Sequence, residues 1–394
     1  MRVAYVCADP GVPVFGKKGG SVHAQEVIRS LRGRGASVEL FASRLGGDPP
    51  AGLDALPVHP LPPIHPGPAA VREQLALNAN HDLRAVLTNA GPFDLIYERH
   101  SLWSYAGLEY AQECGVPGLL EVNAPLLEEQ RRYRSLALPR DAERAVARAF
   151  DAASALLCVS ERVAEYANRH PTAKGRVYVV PNGVDPDRIT PHQDPALPAE
   201  SGVFTVGFVG TLKPWHGVDS LIGAFADLHR VDPRIRLLIV GDGPQRRELQ
   251  AQVQARGMKE AVVFVGSVEP AKIPAILTSM DVAVAPYPVL ANFYFSPLKI
   301  LEYMAAGRAI VASAVGQINE LIAHDRTGLL CPPGDSAELT AALHRLKADT
   351  PLIRRLGKAA RCDVVRNHTW DAVACRIVEI AQTRPSDKTI HQKV

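Results

Sequence analysis

The stretch FYFSPLKILEYMAAGRAIVAS, residues Phe293 to Ser313, decides how this chain is read. An apolar run just before it, Val282 to Ala285, has the composition of a buried strand. A helix is predicted from about Pro297 to Ala306. Proline suits the first helical position, where its missing N–H would be unpaired anyway. Gly307 suits the helix end, where a left-handed residue is wanted. The run Ala309 to Ala312 then supplies the next strand. Strand, polar loop, helix and strand form the unit of a parallel sheet, in which ligands sit beyond the carboxyl ends of the strands. The loop is expected to bring Ser296, a helix N-terminus and Lys299 together. Free N–H groups, the helix dipole and the ammonium all favour an anion there. Glu302, one turn on, offers a carboxylate to sugar or ribose hydroxyls. The residues fit a nucleotide diphosphate carrying a sugar, and equally a surface helix with a Lys–Glu pair.

At 394 residues the chain suits two domains better than one core. No apolar run approaches a bilayer span. The N-terminus, MRVAYVCADP, enters a strand pattern directly, without signal-peptide anatomy. Six cysteines are scattered without CxxC pairs, which argues against a disulfide framework or structural zinc and fits a reducing cytoplasm. A net charge of +3 is too small to indicate nucleic acid.

The first half alternates strands and helices. Val3 to Cys7 is a strand, followed by a loop to Gly20 and a helix from about Val22 to Arg34. The adjacent Gly19 and Gly20 let backbone N–H groups approach a ligand, although such pairs are usually turns. Residues 46–68, rich in Pro and Gly, are expected as an irregular loop. Leu95 to Tyr97 is a strand ending at Glu98, Arg99 and His100, and Gly118 to Val122 runs into Asn123. The Arg-rich region 126–150 fits a solvated helical face. It also offers a peripheral contact to anionic lipid at the inner face of a membrane. Residues 187–202 are polar and Pro-rich and are the best linker candidate.

The second half repeats the α/β alternation from Phe204. Its motifs carry a family resemblance through their order and spacing. CVSERVAEYA, VYVVPNGVD, VGFVGTLKPWHGVDSLIGAF, LLIVGDGP and LEYMAAGRAIVASAVGQINELI resemble the retaining, nucleotide-sugar-dependent glycosyltransferases of family 4. The subgroup it is most similar to carries S-P-x-K before the glutamate. The resemblance implies an α/β fold of two facing Rossmann-like domains, the GT-B architecture, with an interdomain cleft. It divides the chain into an acceptor-binding domain at 1–186, a linker at 187–202 and a nucleotide-sugar-binding domain at 203–370. A C-terminal helix with a polar tail at 371–394 would pack back towards the first domain.

The resemblance further implies transfer of a sugar from a UDP- or GDP-sugar to an acceptor hydroxyl with retained configuration. No metal and no cofactor are implied, the nucleotide sugar being a co-substrate. The acceptor is left open between a small molecule, a polysaccharide and a lipid-linked glycan. Gly19, Gly20 and Gly210 would approach phosphate or sugar, Gly266, Ser267 and Val268 the base, and Glu302 the ribose. Pro297 and Leu298 complete the S-P-x-K segment.

Three departures stand out. Tyr294 occupies the place of the family's first glutamate. Thr211 and His216 replace its usual Arg and Lys, which leaves Lys213 and Lys299 to balance the diphosphate. Asn123 replaces a frequent histidine after the fifth strand, which leaves Glu98 or His100 for acid or base assistance. These departures keep two alternatives in view. One is a nucleotide-sugar epimerase of the same fold, and the other is a non-catalytic protein that binds sugar nucleotides or glycans.

Overall fold

A computed structural model describes residues 1–383. The chain divides into two compact units. The first comprises Met1–Asn182, Tyr294–Ser296 and the C-terminal helix Trp370–Gln382. The second comprises Gly183–Phe293 and Pro297–Thr369.

The first unit is built on strands β1 (Arg2–Cys7), β2 (Ser37–Ala42), β3 (Val58–Pro60), β4 (Leu95–Arg99), β5 (Gly118–Val122), β6 (Ala155–Cys158) and β7 (Val177–Val179). They form one parallel sheet in the order 3-2-1-4-5-6-7. The order reverses between β1 and β4, and such a switch point opens a crevice at the carboxyl ends. Every residue of β4 and β5 is buried. Strands covered on both faces are normally continuous apolar runs. Glu98, Arg99 and Glu121 break that rule, so each needs a partner.

The second unit uses β8 (Phe204–Val209), β9 (Ile235–Val240), β10 (Val262–Gly266), β11 (Val282–Ala285), β12 (Ala309–Ser313) and β13 (Leu329–Cys331). The order is 10-9-8-11-12-13, again parallel, with the switch between β8 and β11. Phe208 and Phe225 lie fully buried in its core among Leu237, Ile239, Val284 and Val311. Each such ring contributes roughly 1.5–3 kcal/mol by leaving water. That packing fixes where β8 ends, and so where the loop from Gly210 begins.

The local expectations need four adjustments. The helix after β11 spans Leu298–Ala305, so Pro297 is its cap and not its first residue. Gly307 does adopt the left-handed conformation, with φ +64°. Gly19 and Gly20 are the first two residues of the helix Gly19–Gly33, not loop. The stretch 46–68 contains β3, an edge strand pairing with β2 through Leu40, Phe41 and Ala42. The helix Ile273–Leu277 was not anticipated.

The Arg-rich region is two helices, Leu126–Tyr133 and Pro139–Ala152. Much of its charge is internally matched. Arg131 pairs with Glu143, Arg144 with Asp141 at 2.7 Å and Arg148 with Glu109 at 2.7 Å. Among the described residues, no helix is long and apolar enough to cross a membrane.

Residues 187–202 are not a free linker. They group with the second unit, where Ile189 is fully buried. Arg361 donates to the carbonyls of Pro186, Ile189 and Ala305 at 2.7–2.8 Å. Satisfied carbonyls and a buried side chain explain why a polar, Pro-rich composition is nonetheless packed. The helix Trp370–Gln382 lies on Gly19–Gly33, with Asp371 accepting from Arg34 at 2.9 Å and Trp370 edge-on to His23. The tail 384–394 lies outside the described residues.

Candidate functional site

In the second unit, chemistry converges on the switch point. Lys299, in the first turn of Leu298–Ala305, points its Nζ at the end of β8. The Nζ sits 4.2 Å from the centre of the Phe208 ring and 5.3 Å from that of Tyr287. Its stem is half-buried, but the amine itself is closed off and has no hydrogen-bond partner among the described residues. An ammonium over aromatic faces gains some cation–π attraction, far less than it loses from water. Burial accordingly pushes the Lys299 amine down to about 7, although the Glu302 carboxylate opposes the shift.

What holds Lys299 there is a residue that sequence reasoning missed. Tyr303, one turn further on and fully buried, accepts from the Val209 N–H at 2.8 Å through its hydroxyl. This ties the helix to the carboxyl end of β8. Gly210 follows at φ +154°, leaving room beside the amine.

The loop after Gly210 adds a second layer. His216 donates its Nδ1–H to the Thr211 carbonyl and packs edge-on to Tyr287, with ring centres 5.8 Å apart. Burial, with the Lys299 charge beside it, pushes His216 down to about 3, so the ring is neutral. Lys213 lies 4.6 Å over the half-exposed Trp215 ring. Gly266 is buried at φ +82°, while Ser267 is exposed and Val268 half-buried. The Gly241 N–H bonds to the Gly266 carbonyl at 2.8 Å, and the Leu212 N–H bonds to the Asp242 carbonyl at 3.0 Å. The loops after β8, β9 and β10 therefore brace one another.

Ser296 and Tyr294 do not belong to this group of residues. Both fall in the first unit. The Ser296 Oγ accepts from the Asn182 N–H at 3.2 Å, and its carbonyl accepts from the Asn182 side chain at 3.0 Å. The Tyr294 hydroxyl donates to Glu129, and the Tyr294 carbonyl accepts from Ser160 at 2.8 Å. A phenol committed to a carboxylate is not the acceptor of sugar hydroxyls that a glutamate there would be.

The first unit has its own polar cluster, at the carboxyl end of β5. Glu121 accepts from Tyr97 at 2.6 Å, from Arg99 at 2.6 Å and from the Asn123 amide, and His23 Nε2 lies 2.9 Å away. Burial alone would raise the Glu121 carboxyl, but His23 and Arg99 outweigh it and hold it well below the usual carboxylate range. The Arg99 guanidinium also faces the helix start, with Nη2 3.5 Å from where a Cβ on Gly20 would stand.

Glu98 and His100 lie elsewhere. Side chains alternate along a strand, so they leave the face opposite to Tyr97 and Arg99. Glu98 accepts from Ser104, and its other oxygen lies against Gly107 in the helix Ala106–Cys114. Burial raises the Glu98 carboxyl to about 7 and lowers His100 to about 4. The His100 ring packs on Phe150 at 5.6 Å. Neither side chain joins the Asn123 cluster. Their place at a strand end suggested a role that their facing does not support.

Two parallel sheets, each with a polar switch point, agree with what comparison shows. The chain belongs to the family 4 glycosyltransferases: residues 17–188 match the family described as Glycosyltransferase Family 4, and residues 203–349 the one described as Glycosyl transferases group 1. It is 27% identical over 392 residues to the D-inositol 3-phosphate glycosyltransferase of Stackebrandtia nassauensis, covering 92% of this chain and 86% of the relative. It is 29% identical to the alpha-maltose-1-phosphate synthase of Mycolicibacterium smegmatis, covering 96% and 98%. Its fold is similar to that of sucrose-phosphate synthase from Thermosynechococcus elongatus, with TM-score 0.75 at 21% identity over 96% of this chain and 98% of that one.

Proposed function

We propose that this glycosyltransferase moves a sugar from a UDP- or GDP-sugar to an acceptor hydroxyl with retention of configuration and without a metal ion. The observation that carries the proposal is Lys299. A buried, unpartnered amine at a switch point is costly unless an anion arrives to pair with it. A diphosphate supplies that anion, and its charge grows as the bond to the sugar parts. Lys299 then stabilises the leaving oxygen most strongly in the transition state. Lys213, displaced from Trp215, adds a second cation. Glu302, one turn from Lys299, accepts from ribose hydroxyls.

The base for the acceptor hydroxyl is assigned to the leaving phosphate. This is consistent with Glu98 and His100 turning away from the polar cluster. The same facing disfavours an epimerase, which needs an acid and a base at the sugar. The acceptor is a hydroxyl of a small molecule, a polysaccharide or a lipid-linked glycan; relatives of similar identity are named for an inositol phosphate and a maltose phosphate. A peripheral membrane contact through 126–150 has little support, because Arg131, Arg144 and Arg148 already have acidic partners.

The test is incubation with radiolabelled UDP-glucose, UDP-N-acetylglucosamine and GDP-mannose. Release of UDP or GDP, with the α-configuration kept in any transferred product, supports the proposal. Epimerised donor, or binding without turnover, contradicts it.

A further inference from the structure

We propose that the second unit carries a site for a neutral polyol, such as one edge of a free pyranose, separate from the Lys299 amine and coupled to it. The cleft lies at the carboxyl ends of β11, β12 and β13 and measures about 270 Å³, counting the space at its mouth. Pro286, Ala312 and Leu339 give it apolar walls, and Ser220, Ser313 and Asp335 give it polar groups. Side chains alternate along a strand, so Ser313 leaves β12 on the same face as Val311. Val311 packs in the core with Leu339 and Leu343 of the helix Ser336–Ala348. The Ser313 hydroxyl therefore turns towards that helix and into the cleft. The residue is 5% exposed, and its hydroxyl has no hydrogen-bond partner among the described residues. At the start of the same helix, Asp335 Oδ1 accepts from the Glu338 N–H at 3.0 Å, which leaves Oδ2 for a ligand.

The lining selects the ligand. A buried hydroxyl and a carboxylate oxygen suit the hydroxyls of a polyol, and the apolar walls suit its C–H face. Phosphate is disfavoured, because the one charged residue of the lining, Asp335, is itself an anion. A bound metal ion needs several oxygen ligands, and the lining offers a single carboxylate. Burial raises the Cys331 thiol in the lining to about 11, so it stays neutral. The coupling runs through Pro286. The ring of Tyr287, the next residue, is centred 5.3 Å from Lys299 Nζ and 5.8 Å from the His216 ring. A Cβ on Gly334 would stand 3.6 Å from Val289, so the loop after β13 rests on the loop after β11. A polyol that joins these two loops orders the Tyr287 wall of the amine. By linkage it tightens UDP as much as UDP tightens it. The coupling rests on the diphosphate reading above, and the site itself does not.

The experiment is equilibrium dialysis of the whole protein against radiolabelled glucose and myo-inositol, each without and with UDP. One equivalent of polyol is expected to bind with a Kd roughly in the millimolar range, the scale for a dozen heavy atoms. Ser313→Val suits a strand and removes the hydroxyl, while Asp335→Asn keeps a good helix cap and removes the charge. Each is expected to weaken polyol binding about 10-fold, the scale of one lost hydrogen bond. Saturating polyol is expected to tighten UDP roughly 5-fold. No retained polyol, binding that both variants leave intact, or one-for-one displacement of the polyol by UDP overturns the site. An unchanged Kd for UDP at saturating polyol overturns the coupling. Failure of UDP to bind at all contradicts the proposed function instead, and dialysis of each polyol alone still decides the site.

Discussion

A Cβ on Gly210 would stand 2.7 Å from the Nζ of Lys299. The two residues are 89 apart in sequence (299 − 210), yet the glycine exists in this conformation with the amine against it. Gly210→Ala must displace the lysine and also strain a backbone at φ +154°. We expect a loss of at least ~1 kcal/mol in stability and weaker UDP binding. Adding Lys299→Ala should restore part of the stability, since only the backbone strain then remains. Chemical denaturation of the two single variants and the double measures this coupling, and strict additivity would contradict it.

Lys299→Met keeps the bulk of the stem and removes the amine. Without ligand, the variant is expected to unfold at a Tm no lower than the parent, because an unpaired buried ammonium is replaced by an apolar group. Turnover should fall roughly 30- to 1000-fold, or ~2–4 kcal/mol. A stable variant with near-normal kcat removes Lys299 from the chemistry.

The amine also predicts a pH dependence. Burial brings Lys299 from its ordinary 10.5 to about 7 in the fold. Between these values the unfolded chain holds a proton that the folded chain lacks. The penalty is therefore full below pH 7, and unliganded stability gains from this group as pH rises through the window. Diphosphate binding needs the ammonium, so affinity falls over the same range and binding takes up as much as one proton. Calorimetric titration of UDP at pH 8.5 in two buffers of different ionisation enthalpy counts that proton. Equal apparent enthalpies would show that no proton is taken up.

Glu302→Gln keeps the shape but weakens hydrogen bonds to ribose. The expected loss in UDP affinity is about 1–2 kcal/mol, with little change in Tm. An unchanged Kd would place the ribose elsewhere.

Tyr303→Phe breaks the link between the Leu298–Ala305 helix and Val209. It leaves a buried N–H unsatisfied, at a cost of about 1–3 kcal/mol. Thermal unfolding measures the loss, and UDP affinity should fall with it as Lys299 loses its anchor. Affinity unchanged in a destabilised variant would detach Tyr303 from the site.

The fold was legible where local chemistry decides it. Alternating apolar runs and helices gave both parallel sheets, and Gly307 marked a helix end. The Lys299–Glu302 spacing was visible for the same reason: one helical turn fixes it. Residues whose roles depend on distant partners were not visible. Tyr303 is an apolar-face residue until Val209 is placed beside it. Glu121 does leave a signal, a charge inside the buried strand GLLEV, where a carboxylate needs partners. Glu98 and His100 stand at a strand end, but the period-two alternation puts them on the other face from Arg99. Nothing in the sequence announced that Tyr294–Ser296 belongs with the first unit, since three residues carry no periodicity.

The most direct measurement is a crystal structure of the protein with UDP bound. The account predicts a diphosphate oxygen about 2.7–3.1 Å from Lys299 Nζ, with ribose hydroxyls on Glu302. An ordered diphosphate elsewhere, with the Lys299 amine still against Phe208 and unliganded, would contradict it.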